Sequence, residues 1–223
     1  NAVDADVDFS KYDWDGDGQV EQVFFIYAGL GQANGGGDDT VWPHKSAVAD
    51  ETGTNYLTFD GVRVFDYACS CELQPVYDVQ GDQYVIIGTK IDGLGTICHE
   101  FSHCLGLADL YDTDYSGGYG MNLWDLMDQG SYNGDSFYPA CYTGFERMQI
   151  GWCQPVELTE ATHVEGLESI EKSGEAYLIR CDANPDEYYI LENRQQSGLW
   201  DAGLPSSGLL ITHVDYNEAA WYN

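Results

Sequence analysis

The stretch G-L-G-T-I-C-H-E-F-S-H-C-L-G-L-A-D-L-Y-D, Gly93 to Asp112, contains His99-Glu100-x-x-His103, then Gly106 and Asp109. On a helix, residues four apart lie one turn above each other, so both imidazoles reach a single ion while Glu100 beside them addresses a water molecule. That is the ligand layout of a zinc hydrolase. Turned at about 100° per residue, the segment puts Leu94, Ile97, Cys98, Phe101 and Leu105 on one stripe and the two histidines roughly opposite. The helix is therefore expected beneath a cleft, packed through its apolar stripe and presenting its ligands upward. Gly106 suits a helix C-terminus, where φ > 0 is needed, and a sharp turn there brings Asp109 back toward the metal.

Composition narrows the surroundings of this helix. The chain has 223 residues, 43% of them apolar and 14% aromatic with 17 Tyr, enough for one large or two small folded domains. Its formal charge of -30 repels nucleic acid and anionic membrane surfaces and attracts multivalent cations. No apolar run approaches bilayer length, and no basic stretch followed by an apolar one opens the chain. The seven cysteines are an odd number, so at least one thiol lacks an intrachain partner. A secreted or cell-surface setting rests instead on the acidity and on loops of calcium-binding type. The start at Asn1 and the end at Tyr222-Asn223 read as those of a piece of a longer chain, with a leader or pro-segment expected outside it.

Along the chain, Asp13, Asp15, Asp17, Gln19 and Glu21 occupy positions 1, 3, 5, 7 and 9 of an EF-hand-type loop, with Gly18 at position 6. Position 12 is Phe24, and Val23 to Gly29 reads as a buried strand, so a loop-to-strand structural Ca2+ site is expected. Tyr56 to Phe59 and Val62 to Ala68 alternate around Asp60-Gly61 as a hairpin, and Tyr84 to Gly88 is a further strand. Asp112 and Asp114 hold a second cation or cap their turn. Met127, flanked by turn residues 24 positions after His103, fits the Met-turn that floors a zinc site. Tyr138 to Gly151 reads as a second helix. After it come short strands at Val156 to Leu158, Ala176 to Ile179, Tyr188 to Arg194 and Gly208 to Val214. The division expected is a catalytic core with its calcium-type loop over 1–153 and a β-rich part of the same catalytic unit over 154–223. The fold class expected is α+β, zincin-like: a mixed twisted sheet packed on the central zinc-binding helix, with a β-rich C-terminal part.

The string from His99 to Asp112, together with Tyr12 to Gly18, Trp42-Pro43-His44, Trp124 to Met127 and Leu191-Glu192-Asn193-Arg194, resembles the M6 metallopeptidases of the immune inhibitor A type. The likeness keeps every block in order over almost the whole chain. It implies a secreted bacterial zinc endopeptidase made as a zymogen and containing structural calcium, with His99 and His103 as zinc ligands and Glu100 as catalytic base. Asp109 stands where the last histidine of H-E-x-x-H-x-x-G-x-x-H would, and a carboxylate oxygen is an acceptable zinc donor. Glu192 is the rival third ligand, its plain alternative being an ion pair with Arg194. For the oxyanion donor the candidates are Tyr132, Tyr111 and His44. Protein or peptide substrates follow from this reading. Two other functions share the motifs: an inactive peptidase-like calcium-binding adhesion module, and a zinc hydrolase acting on a non-peptide bond.

Overall fold

The computed structural model describes residues 3–48 and 56–221, and the chain divides into two compact units, Asn1–Asp92 and Gly93–Asn223. The architecture is mixed α/β, with several sheets and few helices.

The first unit contains strands β1 (Val23–Leu30), β2 (His44–Ala47), β3 (Leu57–Phe59), β4 (Val62–Val64), β5 (Asp66–Gln80) and β6 (Gln83–Ile91). The long strand β5 organises it. β1 pairs with β5 in parallel, and β2 and β6 pair with it antiparallel, which makes a mixed four-stranded sheet. The hairpin expected at Asp60-Gly61 joins β3 to β4, and both residues take positive φ, 50° and 86°, as a two-residue hairpin turn requires. Asp60 and Gly61 supply that conformation more readily than most residues. The expected burial of β1 is not met, because Phe25 and Ile26 are 53% and 62% exposed. β1 is an edge strand that pairs with β5 alone among the described residues, and an apolar run by itself does not distinguish an edge from a centre.

The second unit holds α1 (Leu94–Cys104), α2 (Gly144–Gln149), β7 (Val156–Glu157), α3 (Ile170–Ser173), β8 (Tyr177–Cys181), β9 (Asn184–Arg194), β10 (Gly208–Asp215) and α4 (Glu218–Trp221). The four strands expected in this part are present, in the order β10-β9-β8-β7, with β9 antiparallel to both its neighbours. Ile170, Ala176, Leu178, Tyr188 and Ile190 close its core against Phe145 of α2. The second helix is shorter than its sequence pattern implies. Thr143 caps it: the Thr143 hydroxyl accepts from the Glu146 N–H at 3.3 Å, and Glu146 accepts from the Thr143 N–H at 2.6 Å. That reciprocal pair starts the helix at Gly144. Upstream, Cys141 N–H donates instead to Asp201 at 3.0 Å.

The helix α1 is present and ends where Gly106, at φ 90°, breaks it, but the expected packing face is wrong. Leu94 is 49% and Phe101 40% exposed, whereas Gly95, Thr96, Glu100 and Ser102 are buried. The helix packs through small residues. A Cβ on Gly95 would lie 1.7 Å from the carbonyl oxygen of Ser131, so backbone meets backbone there, and a stripe of large apolar residues could not approach as closely.

Candidate metal centre

One turn of α1 carries His99 and His103 on the same side, with ring centroids 4.9 Å apart. The chain reverses at Gly106 and delivers Asp109, whose Oδ1 lies 3.1 Å from Nε2 of His99 and 3.3 Å from Nε2 of His103. Each ring is held from behind. Nδ1 of His99 donates to the Leu126 carbonyl at 3.0 Å, and Nδ1 of His103 to the Leu107 carbonyl at 2.8 Å. A carbonyl only accepts, so the proton of a neutral ring sits on Nδ1 and the lone pair of Nε2 faces Asp109. The outer oxygen of Asp109 is held as well, by the Tyr111 hydroxyl at 3.1 Å.

Three electron-rich atoms thus converge, and Oδ1 of Asp109 is buried without a well-directed hydrogen bond. Such a group is stable only around a positive charge. Burial opposes ionisation of Asp109, but His103 and His99 outweigh it and hold the carboxyl well below its usual range. Burial likewise disfavours the charged form of His99, and the Asp109 carboxylate outweighs it and raises that imidazole. A tetrahedral zinc with bonds of about 2.1 Å separates its donors by about 3.4 Å, close to the spacings found. The donor set and its outer hydrogen bonds fit a zinc-type ion. Glu100, next to His99, is buried. Met127 is fully buried with Leu107 and Leu126 in a cluster that Cys98 and Leu110 pack against.

Glu192 does not join this group. Its Oε2 accepts from the Gly144 N–H at 2.5 Å and its Oε1 from Arg194 at 3.1 Å, which is the ion-pair role weighed against ligation. Tyr132 lies half exposed on the turn Gln129–Tyr132. In the first unit, His44 is engaged on both nitrogens, with the Trp42 carbonyl at 2.7 Å and the Tyr67 hydroxyl at 2.8 Å.

In the acidic loop, Asp13, Asp15 and Glu21 bring carboxylate oxygens within 4.8 Å of one another. Asp17 lies outside this trio, and its carboxylate accepts from the Gln19 N–H at 2.7 Å. The Gln19 N–H being engaged there leaves its carbonyl, the atom expected to act, unaffected. Asp112 caps its own turn through the N–H groups of Ser116 and Gly117, at 3.2 and 2.8 Å. Among the described residues none of the seven cysteines is in a disulfide. The acceptors behind the two histidines, the carbonyls of Leu107 and Leu126, escaped the sequence reading because backbone atoms carry no residue signature.

Comparison with known proteins bears on this centre. The profile of the immune inhibitor A peptidase M6 catalytic domain matches residues 3–154. The chain belongs to the M6 metallopeptidase family. Immune inhibitor A of Bacillus thuringiensis subsp. alesti is 29% identical over an alignment of 230 positions that takes in 83% of this chain and 30% of that protein. The pre-pro-metalloprotease PrtV of Vibrio cholerae serotype O1, in strains M66-2 and El Tor Inaba N16961, is 31% identical over an alignment of 153 positions that takes in 60% of this chain and 14% of PrtV. The chain spans less than a third of the length of these relatives. Membership of the M6 family implies a catalytic metal, and no helix among the described residues is long and apolar enough to cross a membrane.

Proposed function

We propose that this chain is the catalytic part of a secreted zinc endopeptidase that cleaves peptide bonds in protein substrates. One observation carries the reading: Nε2 of His99 and Nε2 of His103 converge on Oδ1 of Asp109 while their Nδ1 atoms are tied to backbone carbonyls. His99, His103 and Asp109 would hold the ion, and residues 154–223 belong to the same catalytic unit. When bound, zinc supplies Lewis acidity, polarising the scissile carbonyl and acidifying a water molecule. Glu100 would take a proton from the attacking water and return it to the leaving amine. Glu100 is buried next to His99 in the sequence of the helix, on the element that carries both histidines. Tyr111 orients Asp109 from outside, and Tyr132 is the tyrosine proposed to stabilise the oxyanion.

Ca2+ is proposed at the acidic loop, with Asp13, Asp15 and Glu21 as its nearest carboxylates and Asp17 and Gln19 completing the loop. A pro-segment outside this chain, as the name of the Vibrio relative says of that protein, would restrain the site before secretion. Casein or gelatin hydrolysis by zinc-replete protein tests the function. Cleavage that is lost with a zinc chelator and in Glu100→Gln supports it, and a protein that retains zinc but cleaves neither substrate refutes it.

A further inference from the structure

Four carboxyl groups and one guanidinium lie fully buried in the second unit: Asp125, Glu146, Glu192, Asp201 and Arg194. The proposed reaction uses none of them. Arg194, at the end of β9, grips Asp201 through Nε to Oδ2 at 2.9 Å and Nη2 to Oδ1 at 2.7 Å. Its Nη1 donates to Glu192 at 3.1 Å and also to the Trp124 carbonyl at 2.9 Å. An interior ion pair alone does not require that last bond. The next residue, Asp125, folds back so that its Oδ1 accepts from the Met127 N–H at 2.7 Å, while Oδ2 accepts from the Thr143 hydroxyl at 3.3 Å.

The peptide group between Leu126 and Met127 is therefore held at both ends. Its N–H is bound by Asp125, and its C=O accepts from Nδ1 of His99. A peptide group is planar, so fixing the N–H fixes the direction of the carbonyl on the opposite side. That carbonyl determines which nitrogen of His99 carries the proton and how the ring is turned. Arg194 anchors the residue before Asp125 and so prevents the turn from rotating as a whole.

We propose that Asp125 and Arg194 are positioning residues for the metal centre, clamping the Leu126–Met127 peptide plane so that His99 presents Nε2 to the ion. The inference rests on the metal reading given above. Metal affinity, the visible absorption of the Co2+-loaded protein and urea stability are measured on wild type, Asp125→Ala, Asp125→Asn, Arg194→Lys and Leu178→Ala. Leu178 is buried in the same unit, in the core cluster of Ile170 and Ile190, and serves as a destabilised control.

Asp125→Ala and Arg194→Lys are expected to weaken binding by about tenfold, the low end of what loss of an outer partner does, and to shift the Co2+ spectrum. Asp125→Asn keeps an oxygen for the Met127 N–H and should stay within about threefold of wild type. Leu178→Ala should lose stability and keep both the affinity and the spectrum. Wild-type affinity and spectrum in folded Asp125→Ala or Arg194→Lys would overturn the proposal. So would failure of every Asp125 and Arg194 variant to fold, since that would make the network a requirement of the core alone. If wild type itself binds no metal, the proposed function fails before the clamp is tested.

Discussion

Replacing Gly95 by alanine sets two effects against each other. Gly95 is the second residue of α1, so the stabilisation from alanine's smaller loss of backbone entropy is at most the helix-interior value of about 1 kcal/mol. Here the added Cβ would lie 1.7 Å from the Ser131 oxygen and 2.8 Å from its carbonyl carbon. An ordinary carbon–oxygen approach is about 3.3 Å, so the helix or the turn must retreat by about 1.6 Å. The obstacle is backbone, which has no rotamer to change, so the upper end of the overpacking range, about 3 kcal/mol, applies. The net effect is a loss of about 2 kcal/mol, or about 4–8 °C in Tm for a chain of this size. The displaced turn begins just after Met127, so the carbonyl behind His99 should move with it and metal affinity should fall. Thermal unfolding is measured in chelator, where bound metal adds nothing to stability, and metal affinity is titrated separately. A Gly95→Ala protein as stable as wild type or more so would refute the close packing of α1 on Ser131.

Glu100→Gln should bind zinc normally and lose hydrolysis by about 10²–10⁴-fold, the range for a general base; zinc content and casein turnover measured together check it. Asp109→Asn should lower metal affinity by at least about 100-fold, beyond what outer partners contribute, as read by competition with a chromophoric chelator. The buried pair Asp125 and Glu146 gives a pH signature. Burial, which is the largest influence, together with the neighbouring Asp125 carboxyl, raises Glu146 well above its usual value. Burial pushes Asp125 up to about 6, against the Met127 N–H, which lowers it. A carboxyl with a raised folded pKa binds its proton more tightly folded than unfolded. Stability is then full below the ordinary carboxylate range and falls as pH climbs through the folded value. Urea midpoints should therefore decline from about pH 5 upward, and Glu146→Gln should flatten that decline; a midpoint that rises across the same window would contradict it.

What the sequence disclosed and what it concealed divide along physical lines. His99 and His103 were singled out by their helical spacing and Asp109 by the turn expected at Gly106, and the structure brings donor atoms of all three within 4.8 Å of one another. The hairpin at Asp60-Gly61 and the four C-terminal strands were readable from turn chemistry and alternation. The packing face of α1 was not, because the determining residues were Gly95 and Ser102, whose small size leaves no hydrophobic periodicity. Ser102 meets the Tyr142 hydroxyl at 2.6 Å instead. The start of α2 was carried by the Thr143 and Glu146 capping pair, a signal present in the sequence but hidden under a longer apolar pattern. Glu192 and Arg194 stand two residues apart on one strand, which made their ion pair conceivable. Asp201 lies seven residues along the chain from Arg194, but the Trp124 carbonyl that Arg194 also holds is 70 residues away, and only the fold brings it there.

Zinc-edge X-ray absorption and anomalous scattering on crystals of the protein, prepared without chelators, address the metal centre most directly. One zinc per chain is expected at this site, bound by Nε2 of His99, Nε2 of His103 and an oxygen of Asp109, at about 2.0–2.2 Å. Absence of zinc from zinc-replete protein, or a zinc held by Glu192 in place of Asp109, would contradict it.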